Sequence, residues 1–556
     1  MIQKNTFCKL LIGLSLFLFS CKKDTKDEKS VFRYNSESGI TSLDPAFAGN
    51  LPNVRAVTQI YNGLTELDEN LEVRPCLADE WSVSEDLLTY TFKIKKDVFF
   101  HDHPLFQGGK GRELTAHDFE YSFKRICDTA GLFNQGIWIF KDIILKDQNG
   151  HVSDTCFKVV DERTFKIYLE NPAPHLLQIL TMPYAFVVPK EVTEKMKLDF
   201  RSSPVGTGPF RFGEWTEGEA LILYKNEKYW KKDEKGGTLP YLDAVEVSFI
   251  PDKSQAFRSF MLGKLDYITS VEESFVDDVL YRDGEVKESF SDKYNVQKEP
   301  YFNTEYLGFQ LDESAEAYKD SDEDHPLLNS DFRLALSYSV DRKKLVGYLR
   351  NSLGYPGEHG FIPPPTPNFD ISSVNGQAFD PSLAKEYLKK SGVNLEELPV
   401  IAVTVVKEYE PLIEFLAKTW WDVLGVKVEL DIKDPKVGRV LVNSGKTAFF
   451  KQSWLGDYPE AGNYMSLLYS GNVPPFGPNR MNYKNEFCDS LYRRAQVTLD
   501  DKERTNLYAQ MDEHSIADAP MIILFYDELL QLSQKKVKGL KANAMNLLIL
   551  ETVRKD

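Results

Sequence analysis

The apolar stretch Leu10–Phe19 runs directly into Ser20-Cys21 and then into the charged segment Lys22–Lys29, an order that splits the chain into an address and a body. Lys4 and Lys9 precede the stretch, giving it the positive-then-apolar order of a secretory signal, while a helix spanning a bilayer would need about 20 apolar residues. Cys21 reads as a lipid-attachment point. Residues 1–21 are therefore expected to be a signal peptide ending in a lipobox cysteine and 22–30 a polar tether, with the rest a body in the periplasm or cell envelope, lipid-anchored to a membrane. Phe19 departs from the small or β-branched residue usual before such a cysteine, and the competing reading is an ordinary signal peptide.

The body must fold as more than one unit, because the chain has 556 residues and single cores stop growing near roughly 250–300. With 42% hydrophobic and 27% charged residues it has ample material for cores. The net charge of −17 would repel phosphate backbones, which excludes nucleic acid as a partner. Cys76, Cys127, Cys156 and Cys488 show no Cys-x-x-Cys spacing, so a zinc knuckle and a disulfide-dense scaffold are excluded, and one or two bridges stay open. Aromatic residues make up 13% of the chain, suited to cores and also to a large ligand-burying cleft.

Periodicity predicts helices over Val54–Tyr61, from Thr115 onward, over 331–349 as one amphipathic helix, and over 381–390, 411–424 and 502–516. Strands are expected at 90–94, 98–100, 165–169, 221–224, 244–250, 400–406, 426–432 and 521–525. The strand, helix, strand order from 400 to 432 suggests a βαβ unit, so the fold class is α/β. The glycines of Val205–Phe210 mark a bend or a close backbone approach.

Catalytic signatures are not apparent. No Gly-x-Ser-x-Gly elbow, phosphate loop or His-Glu-x-x-His helix occurs, and neighbouring carboxylates such as Glu272-Glu273 are expected in a chain with 84 acidic residues. His101-Asp102-His103 with His117-Asp118 would be the best metal cluster, but no third or fourth ligand is evident and a solvated loop is the preferred account. No cofactor, no metal and no enzymatic activity are expected.

Several segments in order resemble the family 5 extracellular solute-binding proteins of ABC transporters. They are Leu43-Asp44-Pro45, Asn62-Gly63-Leu64-Thr65, Leu77–Trp81, Tyr90-Thr91-Phe92, Leu114–Phe123, Gly206–Phe210, Asn226–Trp230, Phe332–Arg342 and Trp454–Tyr458. The resemblance implies a two-lobed periplasmic-binding-protein-like fold with an additional inserted domain and a ligand cleft between the lobes. Lobe I would comprise 31–78, 205–295 and 520–556, the inserted domain 79–204, and lobe II 296–519. It implies a monomer that closes on di- or oligopeptides and delivers them to an ABC permease with its ATPase subunits. Asp457, in the Trp-x-x-Asp-Tyr motif, would meet the peptide ammonium, since an unpaired buried charge costs several kcal/mol, roughly. Trp454 and Tyr458 would line the cleft, Lys451 would face a ligand carboxylate, and Leu51 would border the site. Gly49 stands where some oligopeptide binders carry an acid, which keeps open a nickel chelate, haem or sugar as ligand. A lipid-anchored hydrolase is the remaining alternative.

Overall fold

A computed structural model describes residues 29–127, 136–140, 143–145, 152–153, 155–269, 271, 273–319, 325–475 and 477–556. Cys21, the signal segment 1–21 and residues 22–28 of the tether lie outside the described residues.

Two long antiparallel strands, Tyr294–Phe309 and Met521–Gln534, run side by side through the middle of an eleven-stranded sheet. Their pairing slips between Pro300 and Thr304, where proline cannot donate to the ladder. On one side of that slip, residues 303–309 pair with Phe449–Leu455, which leads to Ile401–Val405 and Val428–Ile432. On the other side, Ser533 and Leu532 pair with Tyr267–Ile268, followed by Val31–Asn35, Ala244–Ser248, Ala220–Lys225 and Phe210–Thr216. The same pair of strands thus serves two sub-sheets, and the irregularity falls between them.

The expected βαβ unit is present. Ile401–Val405 and Val428–Ile432 are parallel, and the helix Glu410–Leu424 between them ends at Gly425 in the left-handed conformation. A second, four-stranded sheet is built from Ala78–Val83, Thr89–Ile94, Thr164–Tyr168 and Phe157–Asp161. The helix Ala116–Cys127 lies on it with Phe119 and Phe123 against Phe157 and Phe165. Asp118 accepts the Thr115 backbone N–H at 2.9 Å, the reciprocal half of a capping box. One apolar core runs continuously from this sheet to the strands Val31–Asn35 and Ala244–Ser248, so the two units share an interior.

Some expectations change. The helix expected over 331–349 is two helices, Ser330–Tyr338 and Arg342–Arg350. Asp341 ends the continuity by accepting the Lys344 N–H and capping the second helix. The segment 98–100 makes only an isolated bridge, Phe99 to Glu113. His101 is not solvated: it is buried, its Nε2 lies 3.0 Å from the Gly208 carbonyl, and burial pushes its pKa down to about 4. Asp102 pairs instead with Lys228 at 2.8 Å. A Cβ on Gly206 would sit 2.2 Å from the Ile60 carbonyl oxygen, which is the close approach the glycine-rich stretch predicts. The four body cysteines are free and buried.

Candidate functional site

The strand Phe449–Leu455 ends in a turn that carries Asp457 and Tyr458, and three contacts give that turn its shape. Gly456 donates its N–H to the Phe302 carbonyl at 2.9 Å and is pressed so closely on the Phe302 ring that a Cβ would sit 2.1 Å from it. Buried Asn463 receives the Trp454 indole N–H at 2.8 Å and the Asp457 backbone N–H at 3.2 Å on a single oxygen. Trp454, Asp457 and Tyr458 are thereby brought together.

Asp457 is exposed to water, yet its carboxyl is pushed up to about 6. The larger cause is the protein mass around it, and a hydrogen bond from Asn463 opposes the rise. On a convex surface, exposure would leave such a group near its ordinary value. Asp457 therefore reaches water while the protein packed around it disfavours its charged form. No lysine or arginine among the described residues forms an ion pair with it. Its negative charge is instead felt by Tyr184, whose phenol burial pushes up to about 12.

Tyr184 belongs to the turn Pro183–Ala185, far from Asp457 in sequence, and Trp138 meets its ring edge-on at 6.2 Å. Tyr458 stacks on His175 with centroids 5.7 Å apart and planes 7° from parallel, and it packs against the core shared with the four-stranded sheet. Behind this stack, Glu460 accepts from Arg504 Nε at 2.8 Å, a pair with both side chains buried. Burial holds the His175 imidazole below its usual pKa, with Glu460 opposing and Arg504 adding to the effect. The turn thus reaches from the strands Phe449–Leu455 and Tyr294–Phe309 onto residues of the 157–204 region.

Lys451, the expected partner of a ligand carboxylate, already has partners. Its buried ammonium pairs with Glu305, donates to the Gln452 carbonyl at 2.7 Å and lies 4.2 Å from the Tyr409 ring centre. Leu51 is half-buried at the first position of the helix Leu51–Ile60, which Asn50 caps. That helix packs on the turn Pro183–Ala185 and so borders the Tyr184 wall indirectly. Sequence reasoning missed Tyr184, His175, Asn463 and Glu305. Asn463 stands close enough to the motif to be suspected, whereas the others come from distant segments and carry no local signal.

The turn offers a carboxylate with no lysine or arginine ion pair among the described residues, set beside the rings of Trp454 and Tyr458, and no described cluster of three or more histidines, cysteines or carboxylates is placed to hold a metal. The chain belongs to the bacterial extracellular solute-binding proteins of family 5, whose model matches residues 72–475. It is 26% identical over 577 residues to dipeptide-binding protein DppE of Bacillus subtilis, covering 98% of each chain. It is also 26% identical over 559 residues to heme-binding protein A of Haemophilus influenzae, covering 95% of each. The structure of DppA from Helicobacter pylori in complex with the peptide STSA superposes with a TM-score of 0.74 at 22% identity, over 95% of this chain and 99% of that one. The fold is the two-lobed, mixed α/β arrangement of periplasmic binding proteins.

Proposed function

We propose that this protein is the lipid-anchored receptor of an ABC transporter that captures di- or oligopeptides between its lobes and hands them to the permease. The observation that carries the reading is Asp457: a carboxylate without a cationic partner among the described residues, reachable by water and surrounded by protein, beside Trp454 and Tyr458. A peptide ammonium supplies the missing positive charge, and aromatic walls accept varied side chains. Peptide binders among the relatives support this choice of ligand. The heme-binding relative keeps a non-peptide solute as the second reading, but an unmatched carboxylate favours an amine over haem or a neutral sugar.

In this account lobe I consists of 31–78, 205–295 and 520–556, the inserted domain of 79–204, and lobe II of 296–519. The slip between Pro300 and Thr304 in the crossing strands marks the pivot. Cys21 carries the lipid, and the protein acts as a monomer at the cell envelope. Isothermal titration with a set of short peptides and their N-acetylated counterparts tests the reading. Free amines are expected to bind at least tenfold more tightly, and Asp457→Asn is expected to remove the difference. Equal binding of blocked and free peptides would overturn the role of Asp457.

A further inference from the structure

The helix Lys253–Met261 ends in a way that turns apolar residues outward. Gly263, in the left-handed conformation, donates to the Phe260 carbonyl at 2.9 Å, and Lys264 donates to the Ser259 carbonyl at 3.0 Å, the paired bonds of a glycine-terminated helix. An apolar contact between the outer positions of this motif frequently closes such an end, but here those positions are Ser259 and Lys264. Met261 and Leu262 are left at the tip, 43% and 73% exposed, and Leu262 is the most exposed large apolar side chain among the described residues. Gln534 ties a second element to this tip. Its Nε2 donates to the Phe260 and Leu265 carbonyls at 2.7 and 3.2 Å, immediately before the turn at Lys535-Lys536.

The charge around this tip is opposite in sign to that of the molecule. The chain carries −17 overall, yet Lys264, Lys535, Lys538 and Arg554 are exposed and form no ion pair among the described residues. Lys538 and Arg554 are direct partners in a two-stranded sheet, a like-charge pair that is unfavourable by itself. Lys536 and Lys555 share the buried Asp266 at 3.3 and 2.8 Å. The other acids bonded into this end are Asp243, which accepts the Ser30 N–H, and Asp556, whose N–H meets the Lys536 carbonyl, so a cationic excess remains. Topology brings these groups together. Val31–Asn35 and Tyr267–Ile268 are parallel, and Met521–Gln534 runs antiparallel to the latter, so Ser30, the turn at 262–266 and Lys535 lie at one end of the sheet. Lys555 donates to the Val31 carbonyl at that end. Val31 stands ten residues after Cys21, a reach of at most about 35 Å.

We propose that this end of the sheet, with Met261 and Leu262 at its tip and Lys264, Lys535, Lys538 and Arg554 around them, docks on the anionic lipid surface to which the chain is tethered. The apolar tip enters the headgroup layer, and the unpaired ammonium and guanidinium groups meet lipid phosphates. Two side chains are far too little for a stable protein interface, which buries roughly 800 Å² on each partner, whereas a small apolar tip ringed by cations suits a lipid headgroup layer. The short tether keeps this end, rather than a distant one, within reach of the bilayer. That last argument rests on the lipid reading of Cys21, and the charge and exposure of the face do not.

The test is hydrogen exchange of the full chain with vesicles of phosphatidylcholine alone or mixed with phosphatidylglycerol. Leu262→Ser and the double variant Lys535→Glu, Lys538→Glu are compared with wild type, and their exposed positions leave the fold intact, which an unchanged melting temperature checks. Exchange at 260–266 and 534–538 is expected to slow at least about threefold on the mixed vesicles and not on phosphatidylcholine, with both variants abolishing the slowing and the strand Ile401–Val405 unaffected. Mass spectrometry of the same preparation reports whether Cys21 carries a lipid. A lipidated chain that shows no slowing on mixed vesicles overturns the face and leaves the anchor standing, and an unlipidated chain that shows none overturns both. Slowing on mixed vesicles with Cys21 unmodified upholds the face and refutes the anchor. Equal slowing on both vesicles, slowing untouched by the variants, or slowing that grows with protein concentration in the absence of lipid, which would assign the face to a second copy, also overturns it.

Discussion

Asp457 and Asp512 are carboxyl groups held above their ordinary range by loss of hydration, the first at a position that still reaches water and the second fully buried, and each makes pH a probe. For Asp457, with a carboxyl near 6, an ammonium ligand binds the ionised form. Below about pH 6 the ligand must displace a proton, so affinity for a free-amine peptide should fall up to tenfold per pH unit, whereas in Asp457→Asn titration calorimetry should find little change between pH 5 and 7. Asp512 is fully buried with its carboxyl pushed up to about 7, and it accepts the Phe361 and Ile362 N–H groups at 2.8 and 3.0 Å. The folded protein binds this proton more tightly than the unfolded chain, so the destabilisation is fully present above about 7 and fades as pH falls towards 4. Denaturant unfolding of wild type and Asp512→Asn should therefore show the difference shifting in favour of wild type by on the order of 3 kcal/mol from pH 8 to pH 4. A pH-independent difference would contradict the assignment.

Among the elements, the turn after Phe449–Leu455 is the most demanding. Gly456→Ala would force a methyl into the Phe302 ring, and overpacking of this kind costs about 1–3 kcal/mol. The expected outcome is a lower melting temperature together with a loss of ligand affinity, because Asp457 and Tyr458 move with the turn. Unchanged affinity would separate the turn from the site. The elements also show why part of the molecule was legible. Glu410–Leu424 and the parallel strands beside it announce themselves by period and by Gly425. The strand Tyr294–Phe309 escaped because residues 302–309 are buried on both faces and contain Asn303, Thr304 and Glu305, which erase the alternation that marks a strand. Asp341 divides a helix that apolar spacing alone reads as continuous. In the proposed site, Trp454, Asp457 and Tyr458 are nominated by a resemblance alone, whereas the pairing of Lys451 with Glu305 depends on register across two strands far apart in the chain.

At the scale of the whole molecule, two sub-sheets share the crossing strands, and the Tyr458–His175 stack joins the turn to the 157–204 region. Closure on a ligand then predicts that a peptide added to purified protein lowers the radius of gyration in solution scattering, and that Asp457→Asn requires more peptide to reach the same compaction. No helix among the described residues is long and apolar enough to cross a membrane. The most direct measurement is to purify the protein without added ligand, denature it, and identify what is released by mass spectrometry. The account predicts intact short peptides with free amino termini from wild type and far less from Asp457→Asn; release of haem, a sugar or a metal chelate in their place, or of cleaved fragments after incubation with defined peptides, would contradict it.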